Sequence, residues 1–314
     1  MKKQINKKIL ITGGAGFLGS NLAEFLINKN EFKEIILIDF KESEKIKFLK
    51  HIGRAKINFY KINLLNESDL RKLSKYFTDA IYLVHLASRV PKGSMKESDT
   101  LEDLKVNIVD NLSMFFNLIK FLKPIEFIVF ASSASIYGNN INLPIKENEP
   151  VNPFNFYALS KYVIEEVLKK LFYEKGIEST SLRFSQIYGP GEPHKLAITK
   201  FIDAIKKGEK IKIFNGGKDI RNLIYIDDAV KAIDLALKAK KNGIYNISYS
   251  RGFQIKEIIE FCLDIIPNKG PKIIIEPQSR PITNLTYDIS KAKRELKFTP
   301  QVDLKEGIKH FFGT

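Results

Sequence analysis

A glycine-rich turn near the N-terminus constrains the fold more than any other feature of this sequence. The apolar run Lys8–Thr12 leads into the segment GGAGFLG at residues 13–19, where a helical pattern begins and continues to Asn28. Glycine is needed where a backbone turns tightly and where a pyrophosphate approaches the amides of a helix N-terminus. The order of strand, glycines and helix therefore predicts a dinucleotide-binding βα unit.

Short β-type runs alternate with helical patterns through residues 1–185. The predicted strands are Lys8–Thr12, Ile35–Asp39, Ile57–Tyr60, Ile81–Leu86, Phe127–Ser132 and Ser179–Phe184. The predicted helices are Phe17–Asn28, Asp69–Phe77, Leu101–Leu122 and Tyr157–Glu174, with Gly176 placed where the last helix ends. This alternation indicates an α/β fold with a doubly wound parallel sheet of the Rossmann type.

The texture of the sequence changes after residue 185, where shorter elements are separated by glycines and prolines. We therefore expect a NAD-binding Rossmann domain over residues 1–185 and a smaller α/β substrate-binding lobe over 186–314. This expectation includes segments of 186–314 that return to the Rossmann sheet. Ligands of open α/β sheets bind at the carboxyl ends of the strands, so we expect the active site at that edge.

An acidic residue ends the second predicted strand. Asp39 follows Gly19 by 20 residues, the spacing at which a carboxylate accepts hydrogen bonds from the adenosine ribose hydroxyls of a dinucleotide. A carboxylate at that point repels a 2′-phosphate. The expected cofactor is therefore NAD rather than NADP.

A tyrosine, a lysine and a serine form the candidate catalytic set. Tyr157 and Lys161 are four residues apart on a predicted helix and share one face. A neighbouring ammonium favours the phenolate that general-base catalysis requires. Ser133 stands at the carboxyl end of a predicted strand, from which it can bond the substrate oxygen that Tyr157 protonates or deprotonates.

Nine ordered segments make the chain resemble the extended short-chain dehydrogenase/reductases of the NAD-dependent epimerase/dehydratase family, the group that includes UDP-glucose 4-epimerases. The resemblance covers nearly the whole chain. The matching segments are TGGAGFLGS at 12–20, Asp39, HLAS at 85–88, Asn107, SSASIYG at 132–138, YALSK at 157–161, LRFSQIYGPG at 182–191, IRNLIYIDD at 220–228, and RP at 280–281 with DISKAKRELKFTP at 288–300.

The resemblance implies a role for each matching residue. Ser133, Tyr157 and Lys161 are the implied catalytic residues. The implied NAD-binding residues are Gly13, Gly16, Phe17, Leu18, Gly19, Asp39, Asn63, Leu64, Leu86, Ala87, Ser88, Asn107, Tyr157, Lys161, Phe184 and Ser185. The implied substrate-binding residues are Ser133, Gln186, Arg221 and Arg280, of which the two arginines bind the diphosphate of a nucleotide sugar.

Several positions depart from the family pattern. Asn63 and Gln186 stand where aspartate and asparagine are common, and Thr283-Asn284 replace the usual acidic residue after Arg280-Pro281, which leaves the nucleotide base open. Sugar 4,6-dehydratases and related decarboxylases carry an acid just after the catalytic serine or threonine. Ala134 and Ser135 stand there in this chain, so elimination lacks its acid or base.

These observations favour a nucleotide-sugar 4-epimerase that acts through a 4-keto intermediate. A nucleotide-sugar 4-ketoreductase could use the same three residues, although such reductases more often choose NADP(H). A dinucleotide-binding family member without catalytic activity is a further alternative, but such proteins commonly lose the tyrosine or the lysine. By resemblance we also expect a homodimer built on the helices at 101–122 and 157–174.

Composition excludes other classes of protein. The net charge is +15, but it comes from 43 lysines and 8 arginines spread along the chain, so we expect no nucleic-acid partner. Four scattered histidines predict no metal site. The apolar run at the N-terminus is too short for a signal peptide and no segment reads as a membrane span. The single cysteine, Cys262, suits a reducing compartment, so we expect the cytoplasm.

Overall fold

A computed structural model describes residues 5–52, 56–74, 81–90, 100–122, 124–138, 142–193, 196–267 and 270–312. The strands are β1 Ile5–Thr12, β2 Phe32–Asp39, β3 Lys56–Lys61, β4 Ile81–His85, β5 Ile125–Ser133, β6 Glu178–Phe184, β7 Gln186–Tyr188, β8 Ile211–Ile213, β9 Ile220–Arg221, β10 Leu223–Tyr225, β11 Gly243–Ile247, β12 Phe253–Gln254 and β13 Ile273–Ile275. The helices are α1 Phe17–Lys29, α2 Glu44–Ile52, α3 Glu67–Ser74, α4 Leu101–Leu104, α5 Asp110–Phe121, α6 Phe156–Lys175, α7 Ala197–Lys207, α8 Ile226–Ala239, α9 Ile255–Ile265, α10 Ser290–Leu296 and α11 Leu304–Lys309.

A seven-stranded sheet dominates the fold, in the order β11-β6-β5-β4-β1-β2-β3. Strand β1 pairs in parallel with β2 on one side and with β4 on the other. The strand order therefore reverses between β1 and β4, and their carboxyl ends form the switch point at which open α/β sheets bind ligands. The prediction of a doubly wound parallel sheet is confirmed, with β11 as a seventh strand that we did not predict.

The sheet is buried because its central strands are apolar on both faces. In β1, Leu10 belongs to a core cluster that includes residues of α3, α5 and α6, such as Leu70, Phe115 and Ile164. Ile9 and Ile11 are equally buried and point to the opposite face. A continuous apolar run of this kind is typical of a parallel strand covered on both sides.

The chain forms two compact units, and each unit consists of three separate segments. The first unit contains Met1–Ile136, Pro153–Arg183 and Ile233–Ile244, and the second contains Tyr137–Asn152, Phe184–Ala232 and Tyr245–Thr314. Where the sequence led us to draw one boundary at residue 185, the chain changes unit five times. The reason is that the chain returns to the first unit twice, at 153–183, which contains α6, and at 233–244, which contains the end of α8 and the start of β11.

The second unit contains short strand pairs and helices. Strands β7 and β10 pair in parallel, as do β8 and β13, whereas β9 and β12 are antiparallel. Helix α7 ends at Gly208, which adopts the left-handed conformation that glycine favours at such ends. The many glycines and prolines of this region thus separate short elements.

The predicted helix over Leu101–Leu122 is interrupted. Helix α4 is followed by a π-helical turn over Lys105–Val109, in which the Asp110 amide bonds the Lys105 carbonyl, and α5 begins after it. Asn111 stabilises the turn, because its Nδ2 donates to the Asn107 carbonyl at 2.9 Å. Single π-turns inside helices are frequent at functional sites.

The helix that carries the candidate catalytic pair has defined ends. Helix α6 begins after Asn155, whose side chain accepts a hydrogen bond from the Ala158 amide at 2.8 Å. It ends at Gly176, in the left-handed conformation with φ 63°, as predicted. Both ends follow the usual rules for helix caps. The predicted helix Asp69–Phe77 corresponds to α3, and its residues 75–77 lie outside the described residues.

Candidate active site

The glycine-rich turn has no room for side chains at two of its positions. Gly13 has φ +66°, and a Cβ there would lie 2.9 Å from the Ala87 amide nitrogen. A Cβ on Gly19 would lie 2.1 Å from the carbonyl oxygen of Gly13. Both contacts are with backbone, which cannot move aside as a flexible side chain can. The sequence therefore folds into a close cradle of amides ahead of α1, of the kind that holds a pyrophosphate.

Asp39 lies at the end of β2 and bonds the same turn. Its Oδ2 accepts from the Ala15 amide at 3.1 Å, and its Oδ1 accepts from the Phe40 amide at 2.8 Å. Burial raises the pKa of this carboxyl, while the amides of Ala15 and Phe40 act in the opposite direction. The carboxylate thus stands beside the glycine turn, where a ribose diol would meet it.

Thr12 and His85 join the ends of β1 and β4, a contact that the sequence did not reveal. Thr12 Oγ1 accepts from the amides of Leu86 and Ala87 at 3.1 Å each and lies 2.8 Å from His85 Nδ1. With both acceptor sites filled, the threonine hydroxyl donates its proton to His85 Nδ1. His85 is therefore neutral, and burial lowers its pKa to about 3, with a smaller contribution from Lys161.

Tyr157 and Ser133 are in direct contact. The Tyr157 hydroxyl is hydrogen-bonded to the side chain of Ser133. Ser133 Oγ accepts from the Ser135 amide at 3.2 Å and lies 2.8 Å from Ser135 Oγ. The structure thus brings together two of the three predicted catalytic residues and adds the Ser135 hydroxyl beside them.

Lys161 is buried next to this pair. Its Nζ donates to the Ala131 carbonyl at 2.9 Å and lies 5.6 Å from the centre of the Tyr157 ring. Burial lowers the pKa of Lys161 to about 7, and Glu165 acts against that shift. Burial raises the pKa of Tyr157 to about 12, opposed by its bond to Ser133. The three residues therefore lie together in the first unit.

A buried ion pair lies one helical turn beyond Lys161. Glu165 accepts from Arg183 Nη2 at 2.7 Å and from Arg183 Nε at 3.1 Å, and it accepts from Ser132 Oγ at 2.5 Å. Glu165 is 1% exposed and Arg183 is 3% exposed. Sequence reasoning missed this pair, although the four-residue spacing from Lys161 to Glu165 was a usable signal.

Two residues assigned to the cofactor carry buried polar atoms without a partner. Among the described residues, neither Asn107 Oδ1 in the first unit nor Ser185 Oγ in the second has a hydrogen-bond partner. Buried side-chain polar atoms are rarely left unbonded in native proteins. The glycine cradle and the free Asn107 oxygen therefore fit a bound dinucleotide.

Most of the other residues assigned to the cofactor belong to the first unit, at the start of α1 and at the ends of β3 and β4. Asn63 is exposed, and its Oδ1 accepts from the Leu65 amide at 3.1 Å. Leu64 is buried, whereas Phe17, Leu18, Leu86, Ala87 and Ser88 are half-buried. Ser88 Oγ donates to Asn111 Oδ1 at 3.3 Å. Phe184 is buried in the second unit.

The two predicted diphosphate-binding arginines lie in one charged cluster of the second unit. Arg280 Nη2 donates to Asp219 Oδ2 at 2.6 Å, and Arg221 acts electrostatically on the same carboxylate. Burial acts to raise the pKa of Asp219, but bonds from Thr283, Arg280 and Asn215 bring it below the usual value. Sequence reasoning missed Asp219. Burial also lowers the pKa of Arg221.

Gln186, the remaining predicted substrate-binding residue, begins β7 and is half-buried in the second unit. Within the described ranges, no group of three or more His, Cys, Asp or Glu side chains is arranged to hold a metal ion. The same ranges contain no helix long and apolar enough to span a membrane.

Similar proteins of known name share this architecture. A Methanocaldococcus jannaschii protein with the provisional name UDP-glucose 4-epimerase is 33% identical over 305 residues, which is 96% of each chain. The Thermotoga maritima UDP-glucose 4-epimerase, solved with UDP-glucose, has a TM-score of 0.82 at 27% identity and covers 98% of both chains. A Bacillus cereus UDP-glucuronic acid 4-epimerase variant, solved with UDP-4-deoxy-4-fluoro-glucuronic acid and NAD, has a TM-score of 0.82 at 25% identity, with 98% of both chains covered.

A model of a whole protein family also matches this chain. The model of the NAD dependent epimerase/dehydratase family covers residues 9–248, which include the glycine turn and the Ser133, Tyr157 and Lys161 site. The match confirms the resemblance, the Rossmann-type fold and NAD as the cofactor, and the similar proteins support an enzyme of the nucleotide-sugar epimerase type. The chain therefore belongs to the NAD dependent epimerase/dehydratase family.

Proposed function

We propose that this protein is a nucleotide-sugar 4-epimerase that retains its NAD through the reaction. The observation that carries the proposal is the contact of Tyr157 with Ser133 beside the buried Lys161. This arrangement gives a base, a hydrogen-bond donor to the reacting oxygen and a cation that favours the phenolate.

The first half of the reaction oxidises C4 of the sugar. When bound, NAD supplies the acceptor and later the donor of the C4 hydride. Tyr157, as the phenolate, takes the proton from the 4-hydroxyl while the hydride leaves C4, which gives a 4-keto sugar. Ser133 donates a hydrogen bond to the same oxygen. Lys161 stabilises the phenolate by its charge, because a nearby cation lowers the pKa of a phenol.

The second half reverses these transfers on the other face of the sugar. The 4-keto sugar turns within the site, hydride returns to C4, and Tyr157 gives the proton back to the C4 oxygen. The turn requires a firmly held diphosphate and loose contacts with the sugar. Arg221 and Arg280, with Gln186, are the proposed diphosphate-binding residues, since guanidinium groups bind phosphate in a bidentate manner.

Two sequence features favour epimerisation over related reactions. Ala134 and Ser135 carry no carboxyl group that could eliminate the C6 hydroxyl. Asp39 bonds the glycine turn at the ribose end of the proposed dinucleotide site and disfavours a 2′-phosphate. The second point argues against a nucleotide-sugar 4-ketoreductase, which would use the same residues once per turnover and then release the oxidised cofactor.

We also propose that the protein is a homodimer that uses α4, α5 and α6 of the first unit. These helices and the turn between α4 and α5 expose the large apolar side chains of Leu101, Val109, Phe116 and Tyr173. A second copy of the same face would cover them. Light scattering on the purified protein measures the mass directly.

We also propose that the protein works in a reducing compartment such as the cytoplasm, because such a compartment suits the buried thiol of Cys262.

The proposed activity is tested with the purified protein and no added cofactor. Denaturation should release NAD in a one-to-one ratio, and NMR should detect C4 epimers from a panel of UDP-, dTDP-, GDP- and CDP-linked hexoses and UDP-glucuronate. Absence of an epimer, together with NAD(P)H consumption only in the presence of a 4-keto sugar, would exclude the epimerase and support the reductase.

A further inference from the structure

The buried Glu165–Arg183 pair connects three elements of the candidate active site. Glu165 lies on α6, Arg183 on β6, and Ser132 on β5 next to the proposed catalytic Ser133. The carboxylate accepts from Arg183 at 2.7 Å and from Ser132 at 2.5 Å. A buried carboxylate bonded to two different strands fixes the helix that carries it relative to both of them.

Tyr157, Lys161 and Glu165 occupy one face of α6. They are separated by four residues each, so they follow one another at intervals of one helical turn. A rotation of α6 that displaced Glu165 from its partners would also displace Tyr157 from Ser133. The ion pair therefore keeps Tyr157 in position against Ser133.

The groups around Lys161 leave it dependent on Glu165 for its charge. On α6 it has Tyr157 on one side and Glu165 on the other, on β5 its Nζ donates to the Ala131 carbonyl, and on β4 its charge helps to lower the pKa of His85. His85 is neutral because Thr12 donates to it. Burial of an ammonium disfavours its charged form, and Glu165 is the acid that acts against this.

We propose that the Glu165–Arg183 pair is a positioning unit of the catalytic helix: it fixes α6 against β5 and β6 and keeps a negative charge one turn from Lys161, which favours the ammonium form of Lys161 beside Tyr157. This inference deepens the proposed function and rests on it for its catalytic consequence. The two residues do not touch the reacting atoms. Their effect reaches the substrate through Lys161 and Ser133.

The charge of Lys161 can be measured without any turnover. The pKa of Lys161 is read by NMR from ¹³Cε-labelled lysine in the NAD-loaded protein, with Lys161→Met to assign the signal. Glu165→Gln should lower this pKa by about one unit or more, since it removes a nearby opposite charge. Arg183→Lys keeps both charges and is the matched control, which should leave the pKa unchanged.

A second variant covers the case in which Glu165→Gln does not fold. Glu165→Gln leaves Arg183 buried without its charged partner, which can prevent folding. Glu165→Gln/Arg183→Gln has no unpaired buried charge, and it should also lower the pKa of Lys161, by less than the single variant. An unchanged pKa in whichever of the two variants folds, with only a lower melting temperature, would reduce the pair to a structural contact and overturn the proposal.

The catalytic consequence has a separate readout. In the folded variants kcat should fall while KM for the nucleotide sugar stays within about twofold, because the diphosphate is held by other residues. If the protein made no epimer at all, the proposed function would fail while the NMR shift still decided the positioning role. An unaltered kcat in a variant with the shifted pKa would refute the link to catalysis.

Discussion

Lys161 Nζ lies 5.6 Å from the centre of the Tyr157 ring, on the next turn of the same helix. Burial lowers the pKa of the lysine to about 7 and raises that of the tyrosine to about 12. The pair has two titratable protons, one on each residue. The phenolate–ammonium state and the phenol–amine state each hold one of them. Between these two pKa values the pair therefore holds one of its two titratable protons, which is the protonation state that the proposed base requires.

The first prediction is a one-sided pH dependence near neutrality. Below about pH 7 Lys161 and Tyr157 both hold their protons, so kcat/KM should fall by about tenfold per pH unit there. Above that pH it should level off towards the alkaline range. A pH profile of the wild-type protein checks this fall in kcat/KM below about pH 7. Lys161→Met should abolish the fall along with most of the activity. An activity that rises as the pH falls below 6 would contradict this assignment.

Removal of the Tyr157 hydroxyl should stop the chemistry and spare the cofactor. Tyr157→Phe should lower kcat by about 10²- to 10⁴-fold, the usual contribution of general acid–base catalysis. The bound NAD, measured after denaturation, should stay at the wild-type ratio. Tyr162→Phe, on the same helix, is the matched control and should keep full activity. Equal losses in the two variants would point to damage of α6 instead.

Gly19 should tolerate no side chain. In Gly19→Ala the new Cβ would lie 2.1 Å from the Gly13 carbonyl oxygen, so the turn must open and NAD binding should fall by at least about tenfold. Calorimetry with NAD measures the loss. Gly176→Asn is the control, because a Cβ there meets nothing within 4 Å and asparagine accepts the left-handed conformation. Wild-type NAD affinity in Gly19→Ala would mean that the turn adapts.

His85 should make the protein sensitive to acid. Its pKa is about 3 in the folded state and about 6.5 when unfolded. Between these values the unfolded chain binds more protons, so the stabilisation is complete above about pH 6.5 and declines as the pH falls towards 3. The expected loss is about 2 kcal/mol at pH 5 relative to pH 7.

Denaturant unfolding at several pH values checks this effect. In His85→Gln an amide oxygen can accept the Thr12 proton, and the variant should lose the acid-dependent slope while remaining folded at pH 7. An identical slope in the variant and the wild type would assign the acid sensitivity to other groups.

The proposed diphosphate site makes a prediction about substrate affinity. Arg221→Gln should raise KM for the nucleotide sugar by at least about tenfold, as expected for a lost charge-assisted contact, with a smaller change in kcat. Arg294→Gln removes an exposed guanidinium of the same unit, paired with Glu295, and should change neither constant. Equal effects of the two variants would indicate the general positive field of the protein and not a defined site.

The sequence predicted the parts of the candidate site that depend on local patterns. The glycine turn, Asp39, Ser133 and the spacing from Tyr157 to Lys161 each belong to one short segment, and α6 ends at Gly176 as expected. Strand β11 was missed because a five-residue run far along the chain gives no sign of the strand that it will join. Its neighbour β6 lies about 60 residues earlier.

Contacts between distant segments account for the other omissions. The pairing of Asp219 with Arg280 joins residues 61 positions apart, and that of Glu165 with Arg183 depends on α6 lying against β6. The π-helical turn at Lys105–Val109 was read as a regular helix, because the extra residue in the turn leaves the apolar pattern of α5 intact. Such features follow from tertiary packing and not from local propensity.

The interleaving of the two units limits how such proteins can exchange parts by recombination. A chimera joined once at residue 185 would take Ile233–Ile244 from the second parent, and with it the start of β11, which must pair with the β6 of the first parent. Exchange of whole units requires five junctions, at the points where the chain changes unit. A substrate preference carried by the second unit is thus more readily altered by point substitution than by transfer of a cassette.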